Sequence, residues 1–211
     1  MTQAPVDGEG TQAPTQGRRQ RNKAAKNERI FTAARQLFAE KGYDEVTTAE
    51  LAERAQVGVG TLFRYVGSKP ELLVTIMNED LDAGAASALE MADAGCDAQE
   101  AILELLRPWA GECLDHPDNV KAYQREIIFG ASPQSARALD QLTGIEGVVT
   151  DILRRTRPEG SSTSDEDLPA LAMSLVATLH LHIVRAVLGR TEVGELPDRI
   201  RASLTYLLRD F

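Results

Sequence analysis

The fold is decided by VTTAELAERAQVGVGTLFRYVGSKPEL, residues Val46–Leu72. Residues 47–50, Thr-Thr-Ala-Glu, have the Thr-x-x-Glu pattern of a capping box, in which the first threonine caps a helix and the glutamate reaches back. Residues 68–71, Ser-Lys-Pro-Glu, repeat the pattern, and the proline stands in the first turn, where a missing N–H costs nothing. The segment therefore predicts two short helices joined by a tight turn, with a third helix following at once.

Two short helices joined in this way are typical of a helix-turn-helix, whose second helix enters a DNA groove. Val57 follows the turn and is expected to plug the angle between the helices, and Gly58 can cap the second one. Leu62 is expected to face inward. The remaining residues of the second helix are expected to face out, and they are Val59, Gly60, Thr61, Phe63, Arg64 and Tyr65.

At these residues the chain resembles the tetracycline-repressor (TetR) family of bacterial transcription regulators. The resemblance covers roughly residues 24–73. It rests on FAEKGY at 38–43, Thr-Thr at 47–48, VGTLFRY at 59–65 and Ser-Lys at 68–69. It implies an all-α fold, with an N-terminal three-helix helix-turn-helix DNA-binding domain followed by a larger helical ligand-binding and dimerisation domain.

Three positions depart from the family pattern. Gln56 stands where the turn usually has glycine, Phe63 where tyrosine is common, and Tyr65 where histidine is common. If position 56 is left-handed, glutamine there costs on the order of 1 kcal/mol. These departures leave the set of DNA contacts open.

Side chains near the start of the second helix are the expected base readers. Val59 and the methyl group of Thr61 suit thymine methyls, and Gly60 lets the backbone approach closely although it costs about 1 kcal/mol of helix propensity. Arg64 can bind guanine in a bidentate manner or hold a phosphate. Phosphate contacts are expected from Thr48, Tyr65 and Lys69.

A basic run precedes the helix-turn-helix, although the net charge of the chain is −9. Residues 1–75 hold 11 Lys and Arg against 9 Asp and Glu, whereas residues 76–211 hold 12 against 23. The run consists of Arg18, Arg19, Arg21, Lys23 and Lys26. It can follow the DNA backbone or enter the minor groove, and the competing interpretation is a solvated tail.

We expect three regions along the chain: a disordered tail at 1–20, the DNA-binding domain at 21–67, and the helical domain at 68–211. The tail is rich in Gln, Pro, Gly and Thr. The first helix is predicted from about Asn22 to Glu40. A long helix from Lys69 to about Ala92 would join the two domains rigidly.

The last two helices of the chain predict a homodimer. Residues 168–189 are apolar on more than one face, and such a helix must be covered on every side. A partner subunit can cover one side in a four-helix bundle, which the resemblance also implies. The expected interface residues are Leu171, Leu175, Leu179, His182, Ile200, Leu204 and Leu207. The alternative is that both faces are buried within one chain.

The resemblance further implies a small-molecule effector bound in the C-terminal domain. Candidates are polar or aromatic residues on otherwise apolar helices, and they are Trp109, His116, Tyr123, Arg125, Glu126, Phe129 and His180. An ordinary packed or capping role is the alternative for each. His180 and His182 are two residues apart and point to different faces, so they make a poor metal pair, and no metal or cofactor is expected.

Catalytic motifs are missing from the sequence, which favours a protein that is not an enzyme. Cys113 and His116 are three residues apart and are the closest approach to a nucleophile and base. No signal peptide is recognisable, and 168–188 contains two histidines and an arginine, so a buried helix is favoured over a membrane span. We expect a cytoplasmic protein whose cysteines, Cys96 and Cys113, are reduced.

Together these features predict a sequence-specific DNA-binding transcription regulator, a repressor released from its operator by a small molecule. The main alternative is an architectural or weakly specific DNA-binding protein without a small-molecule ligand. A second alternative is a helical protein-interaction module with no role at DNA.

Overall fold

The structure is a computed structural model that describes residues 14–130 and 133–211. These residues form nine α-helices and no strand, which confirms the all-α class. The helices are α1 (Pro14–Lys41), α2 (Thr48–Arg54), α3 (Val59–Val66), α4 (Lys69–Asp93), α5 (Ala98–Asp115), α6 (Pro117–Phe129), α7 (Pro133–Thr156), α8 (Leu168–Val187) and α9 (Leu196–Leu207). A 3-10 turn, Val193–Glu195, precedes α9.

Side chains cap the starts of α2 and α4. The Glu50 N–H donates to Thr47 Oγ1 at 3.2 Å, and the Thr47 N–H donates to the Glu50 carboxylate at 2.9 Å, so the predicted capping box is formed. Hydrogen bonds from Lys41 and then from Thr47 lower the pKa of Glu50 to about 2. Ser68 Oγ accepts from the Glu71 N–H at 3.2 Å and caps α4.

The turn between α2 and α3 takes the strained form that the sequence suggested. Gln56 has φ 54, in the left-handed region that favours glycine. The next N–H, from Val57, donates to Ala52 O at 2.9 Å and closes the turn. Val57 packs against the core, as expected for the residue that fills the angle between the helices.

Helix α1 is longer than the sequence predicted. It begins at Pro14 rather than Asn22, so the predicted disordered tail at 1–20 is wrong for residues 14–20. The prediction for residues 1–13 lies outside the described residues. Residues 20–29 are all exposed, and Ile30 is the first buried side chain from residue 20 onward. The basic half of α1 is therefore a helical rod that extends beyond the core.

Helix α4 joins the two domains, as the sequence predicted. It contacts α1 and α3 on one side and α5, α6 and α7 on the other. Gly84 allows the close packing of α4 on α5, because a Cβ there would lie 2.8 Å from Leu105 O and 3.3 Å from Pro108 Cγ. The link between the domains is thus a continuous helix with buried packing at both ends.

Four of the seven residues predicted for the dimer interface are buried within their own chain. Leu175, Leu179, Ile200 and Leu204 pack into the core of the described structure. A side chain already covered by its own subunit has no surface left for a second one, so the prediction was wrong for these four. Leu171, His182 and Leu207 are half-buried.

Another face of α8 is exposed and apolar. Met173, Ala177 and Leu181 follow one another at helical spacing, Leu188 comes directly after the last residue of the helix on the same side, and Leu181 is 56% exposed. The sequence prediction placed Leu175 and Leu179 on the partner-facing side of this helix, whereas in the structure they face the core and Leu181 faces outward. Within the described residues, α8 is also the one helix long and apolar enough to span a bilayer by length and composition.

Candidate DNA interface and effector cavity

Helix α3 presents a nearly continuous outer face. Leu62 and Val66 are buried beneath it, while Val59 is 42% and Phe63 39% exposed. Val59 and Phe63 are four residues apart and so lie together on one face, and neighbouring exposed apolar side chains often mark an interaction site. The exposed residues of this face are Val59, Gly60, Phe63 and Arg64, with Thr61 and Tyr65 half-buried beside them. The inward orientation of Leu62 is confirmed, whereas Tyr65, which was predicted to face out, packs partly against the core.

Gly60 is free of any structural requirement within the chain. A Cβ built there has no neighbour within 4 Å, and its φ is not positive. A glycine in a helix costs about 1 kcal/mol relative to alanine. Nothing in the described structure offsets that cost at Gly60, the second residue of α3 and part of its exposed face.

The basic residues of the N-terminal domain fall into two groups. One group is paired: Arg54 makes two hydrogen bonds with Glu40 at 2.9 and 3.0 Å, Lys41 binds Glu50 at 2.6 Å, and Arg35 binds Glu79 and Asp80 of α4. The other group has no ion pair with any residue that the structure describes. Its members are Arg21, Lys23, Lys26, Arg29 and Arg64.

Two members of the unpaired group, Lys23 and Arg64, line a groove between α1 and α3. Gln20, Lys23, Ala24 and Asn27 of α1 line the groove, which has a volume of about 670 Å³, together with Arg64 and Tyr65 of α3. This groove therefore places Lys23, from the basic run, on one surface with Arg64 and Tyr65 of α3. Arg18 and Arg19 belong to the same helix, but their side chains lie outside the described residues.

Lys69 has a role within the chain that the sequence did not predict. Its Nζ donates to Val46 O at 2.6 Å and lies 4.1 Å from the centroid of the Tyr43 ring. Burial lowers the pKa of Lys69, although nearby Asp44 opposes the shift. The ammonium holds α4 against the chain leading into α2, and it is not an open phosphate ligand in this conformation. Thr48, half-buried, opens α2 beside it.

A buried amide joins the DNA-binding domain to the C-terminal domain. Asn119 Nδ2, on α6, donates to Phe38 O in the last turn of α1 at 3.2 Å and also binds the Glu112 carboxylate of α5. Next to it, a Cβ at Gly42 would lie 3.8 Å from His116 Nδ1. The corner between α5 and α6 therefore rests directly on the end of α1. Sequence reasoning missed Asn119, because an asparagine near a helix start usually signals only a cap.

The C-terminal domain encloses a small apolar cavity of about 30 Å³. Helices α4, α5, α7 and α8 supply its walls. The lining residues are Leu81, Leu105, Leu106, Trp109, Ile145, Val149, Val176, Leu179, His180 and Ile183. His180 is the one ionisable side chain in this lining, and burial lowers its pKa.

The predicted effector-binding residues divide into three places. Trp109 and His180 line the cavity, and the Tyr123 ring packs edge-on against Trp109 with a centroid distance of 5.0 Å. His116 and Glu126 lie instead near the end of α1, where Glu126 affects the pKa of Tyr43. Phe129 is 81% exposed at the end of α6, so its placement in a pocket was wrong.

The cysteine considered as a nucleophile is unsuited to that role. Cys113 is buried, and desolvation raises the pKa of its thiol to about 12. A thiol with that pKa is protonated near pH 7, and only the thiolate is an effective nucleophile.

Two short helices joined by a tight turn, with the second one exposed and near unpaired cations, form the arrangement of a DNA-binding helix-turn-helix. The family model for bacterial regulatory proteins of the tetR family matches residues 30–76. The HTH-type transcriptional repressor KstR of Rhodococcus jostii (strain RHA1) is 38% identical over 186 residues, which cover 88% of this chain and 84% of that protein. The chain belongs to the TetR family of transcription regulators, and the sequence-based assignment is confirmed.

Other relatives agree with this assignment. The repressor KstR of Mycobacterium tuberculosis (strain ATCC 25618 / H37Rv) is 27% identical over 141 residues, which cover 67% of this chain and 62% of that protein. Thermus thermophilus FadR, a TetR-family repressor solved in complex with lauroyl-CoA, has a TM-score of 0.68 at 24% identity. The match covers 88% of this chain and 94% of FadR, and it shows that the fold is shared along nearly the whole length.

Proposed function

We propose that this protein is a homodimeric repressor that binds a two-part operator through α3 and leaves it when a small molecule occupies the C-terminal cavity. The observation that carries the proposal is the outer face of α3, which has exposed apolar side chains, an unforced glycine and an unpaired arginine. The curated relatives are named as transcriptional repressors, which supports the direction of regulation.

In this proposal α3 enters the major groove and the basic half of α1 follows the backbone. Val59 and Thr61 contact thymine methyl groups, Gly60 lets the α3 backbone approach, and Arg64 binds guanine or phosphate. Lys23 and Tyr65, on opposite walls of the groove between α1 and α3, hold backbone phosphates. The acidic remainder of the chain would be repelled by the duplex, which keeps α3 as the side that docks.

The DNA-binding experiment begins with selection of duplexes from a random pool, followed by footprinting of the selected site. We expect two protected half-sites, one for each subunit, separated by one helical turn of DNA or a multiple of it. Lys23→Ala should reduce the salt dependence of binding by about one phosphate contact without changing sequence preference. A single protected half-site would exclude the two-part operator.

The exposed face of α8 is the proposed dimer interface. Met173, Ala177, Leu181 and Leu188 form the apolar stripe, and a second copy of the stripe would cover it in a four-helix bundle. Leu181→Glu should convert the dimer to a monomer in light scattering, because it places a charge at the centre of the seam. Leu114→Glu, at another exposed apolar position, should leave the dimer intact.

The coupling between cavity and DNA is proposed to run through α4, α5 and α6. Helix α4 lines the cavity with Leu81 and holds α1 through Asp80 and Glu79, while Asn119 holds the end of α1 from the other side. A ligand shifts this arrangement only if it binds one geometry more tightly than the other. Thermus thermophilus FadR binds lauroyl-CoA, which supports a ligand-controlled member of this fold.

The same selection experiment distinguishes a sequence-specific repressor from an architectural DNA-binding protein. A weakly specific DNA-coating protein would bind selected and random duplexes with similar affinity and with the same steep salt dependence. The exposed apolar residues of α3 favour the specific reader, because phosphate contacts alone need cations rather than Val59 and Phe63.

A further inference from the structure

The orphaned polar atoms of the described core are concentrated on α5 and α6. Four buried side-chain atoms there have no hydrogen-bond partner among the described residues: Trp109 Nε1, Asn119 Oδ1 and both amide atoms of Gln124. Buried polar groups are almost always paired, and an unpaired one is costly. One of these atoms, Trp109 Nε1, belongs to a residue that lines the cavity.

The Trp109 ring is held in place by its neighbours. Tyr123 packs against it with an interplanar angle of 82°, and the Tyr123 hydroxyl donates to Asn78 Oδ1 at 2.6 Å. The tyrosine thus uses its own donor elsewhere, and it fixes the indole without satisfying it. An unpaired N–H on a rigid ring in an apolar wall is a selective feature for a ligand that brings an acceptor.

The remainder of the cavity wall determines the charge of the ligand. Eight of the ten lining residues are Leu, Ile or Val, and neither Lys, Arg, Asp nor Glu is among them. His180 is neutral near pH 7, because burial lowers its pKa. A carboxylate or an ammonium entering this wall would lose its hydration and find no opposite charge.

We propose that the effector is an uncharged, largely hydrocarbon molecule with a ketone or hydroxyl oxygen that accepts a hydrogen bond from Trp109 Nε1. This proposal rests on the proposed function, which assigns the effector to the C-terminal cavity. The hydrocarbon part packs against the aliphatic side chains, and His180 offers a second neutral hydrogen-bonding group. The lining belongs to α4, α5, α7 and α8, so a molecule larger than the present cavity of about 30 Å³ must displace those helices.

Trp109 is the single tryptophan of the chain, so its fluorescence reports directly on the cavity. The test titrates the full-length protein at pH 7.5 with 2-decanone, decanoate and decylammonium, which share a chain length and differ in the polar group. We expect a saturable change in emission with 2-decanone and at least tenfold weaker binding of both ions. Equal or tighter binding of decanoate, or no saturable response to 2-decanone, would overturn the proposal.

Two variants test the assigned geometry by calorimetry. Trp109→Phe removes the N–H while keeping an aromatic ring, and it should weaken 2-decanone binding by about tenfold. Val176→Phe fills the cavity and should abolish binding even if the first variant folds poorly. Ile128→Ala, at an exposed site on the outer end of α6, is the control and should bind as the parent does. Unchanged affinity in Val176→Phe would place the ligand elsewhere.

A parallel operator-binding assay separates this proposal from the proposed function. If 2-decanone binds at Trp109 but operator affinity is unchanged, the ligand class stands and the release mechanism fails. If decanoate releases the operator and 2-decanone does not, the release mechanism stands and the ligand class fails.

Discussion

The two domains place their candidate functional residues in opposite environments. On α3 these side chains point outward, and Val59, Gly60 and Arg64 are exposed. In the C-terminal domain, Trp109 and Tyr123 are both buried in the core. A substitution on α3 can therefore change DNA binding alone, whereas a substitution around the cavity changes stability as well.

This difference also suggests how the two domains work together. A surface that reads DNA must be rigid and already formed, since its contacts are specific only when they are well placed. A cavity of about 30 Å³ must instead open before an effector fits. The buried contact of Asn119 and the partly exposed ion pairs of Arg35 join the DNA-binding domain to the C-terminal domain.

The largest effect is expected for Arg64, where a substitution should weaken DNA binding without changing stability. Arg64→Ala should weaken binding to the selected operator by about 1–3 kcal/mol, roughly five- to 150-fold, because it removes the guanidinium that α3 offers to guanine or phosphate. Its thermal unfolding should match that of the parent, since Arg64 is exposed. Fluorescence anisotropy with operator and random duplexes measures the affinity, and calorimetry measures the thermal unfolding. A large loss of stability would break the separation between the domains.

At Gly84, where α4 packs on α5, a substitution is expected to reduce stability. A Cβ there would lie 2.8 Å from a backbone carbonyl, so Gly84→Ala should lower the free energy of unfolding by about 1–3 kcal/mol. Urea unfolding measures this loss. Gly95→Ala is not a suitable control because φ is 88 there, but Gly111→Ala is, since its Cβ would meet no neighbour within 4 Å. A neutral Gly84→Ala would show that α4 and α5 can separate freely.

A substitution at Gly60 should change stability and operator binding in opposite directions. Gly60→Ala should stabilise the protein by about 1 kcal/mol through helix propensity, while it weakens operator binding by adding a methyl group at the DNA surface. Gly147→Ala, also in a helix with open space around it, should give a comparable gain in stability with unchanged DNA affinity. If Gly60→Ala binds the operator as the parent does, close approach of the α3 backbone is not the reason for the glycine.

The turn at Gln56 should affect stability with little effect on DNA binding. Gln56→Gly removes the strain of the left-handed conformation, but it also adds entropy to the unfolded chain, so we expect a net gain of about 0.5–1 kcal/mol. Urea unfolding measures the gain. Gln36→Gly, in the regular part of α1, is the matched comparison and should destabilise by about 1 kcal/mol instead. A loss of stability in Gln56→Gly would show that the left-handed backbone at this position is not strained in the parent.

The smallest effect is expected in the pH dependence of stability, through the Glu50 carboxylate. The pKa of Glu50 is lowered to about 2, so the ionised carboxylate stabilises the folded state above its ordinary pKa near 4.5. That contribution is lost as the pH falls from about 4.5 towards 2. Glu50→Gln should therefore show a shallower loss of thermal stability across this range than the parent. Parallel pH profiles for the two proteins would show that the Glu50 carboxylate has no such role.

Much of the DNA-binding domain could be predicted from the sequence because its signals are local. Capping patterns and a turn involve residues within four positions of each other, so Thr47, Glu50 and Ser68 showed the starts of α2 and α4. The inward orientation of Leu62 followed from helical periodicity. The length of α1 was missed because residues 14–20 contain glycine, proline and polar residues that resemble a tail.

The C-terminal domain was less predictable because its decisive contacts join distant parts of the chain. Periodicity showed that α8 is apolar on more than one face and placed Leu175 and Leu179 at the partner, but packing against α7 and α9 turns both residues inward. Likewise, sequence spacing could not show that Lys69 reaches Val46 or that Asn119 reaches Phe38.

The sequence by itself determined the helical class, the turn, the capped helix starts and the outward face of α3, because each depends on residues close together along the chain. Only the tertiary structure decided which cations remain unpaired, which face of α8 is exposed, and which aromatic residues meet around a cavity. Those properties depend on burial and on distances between separate helices, and the linear order of residues does not contain them.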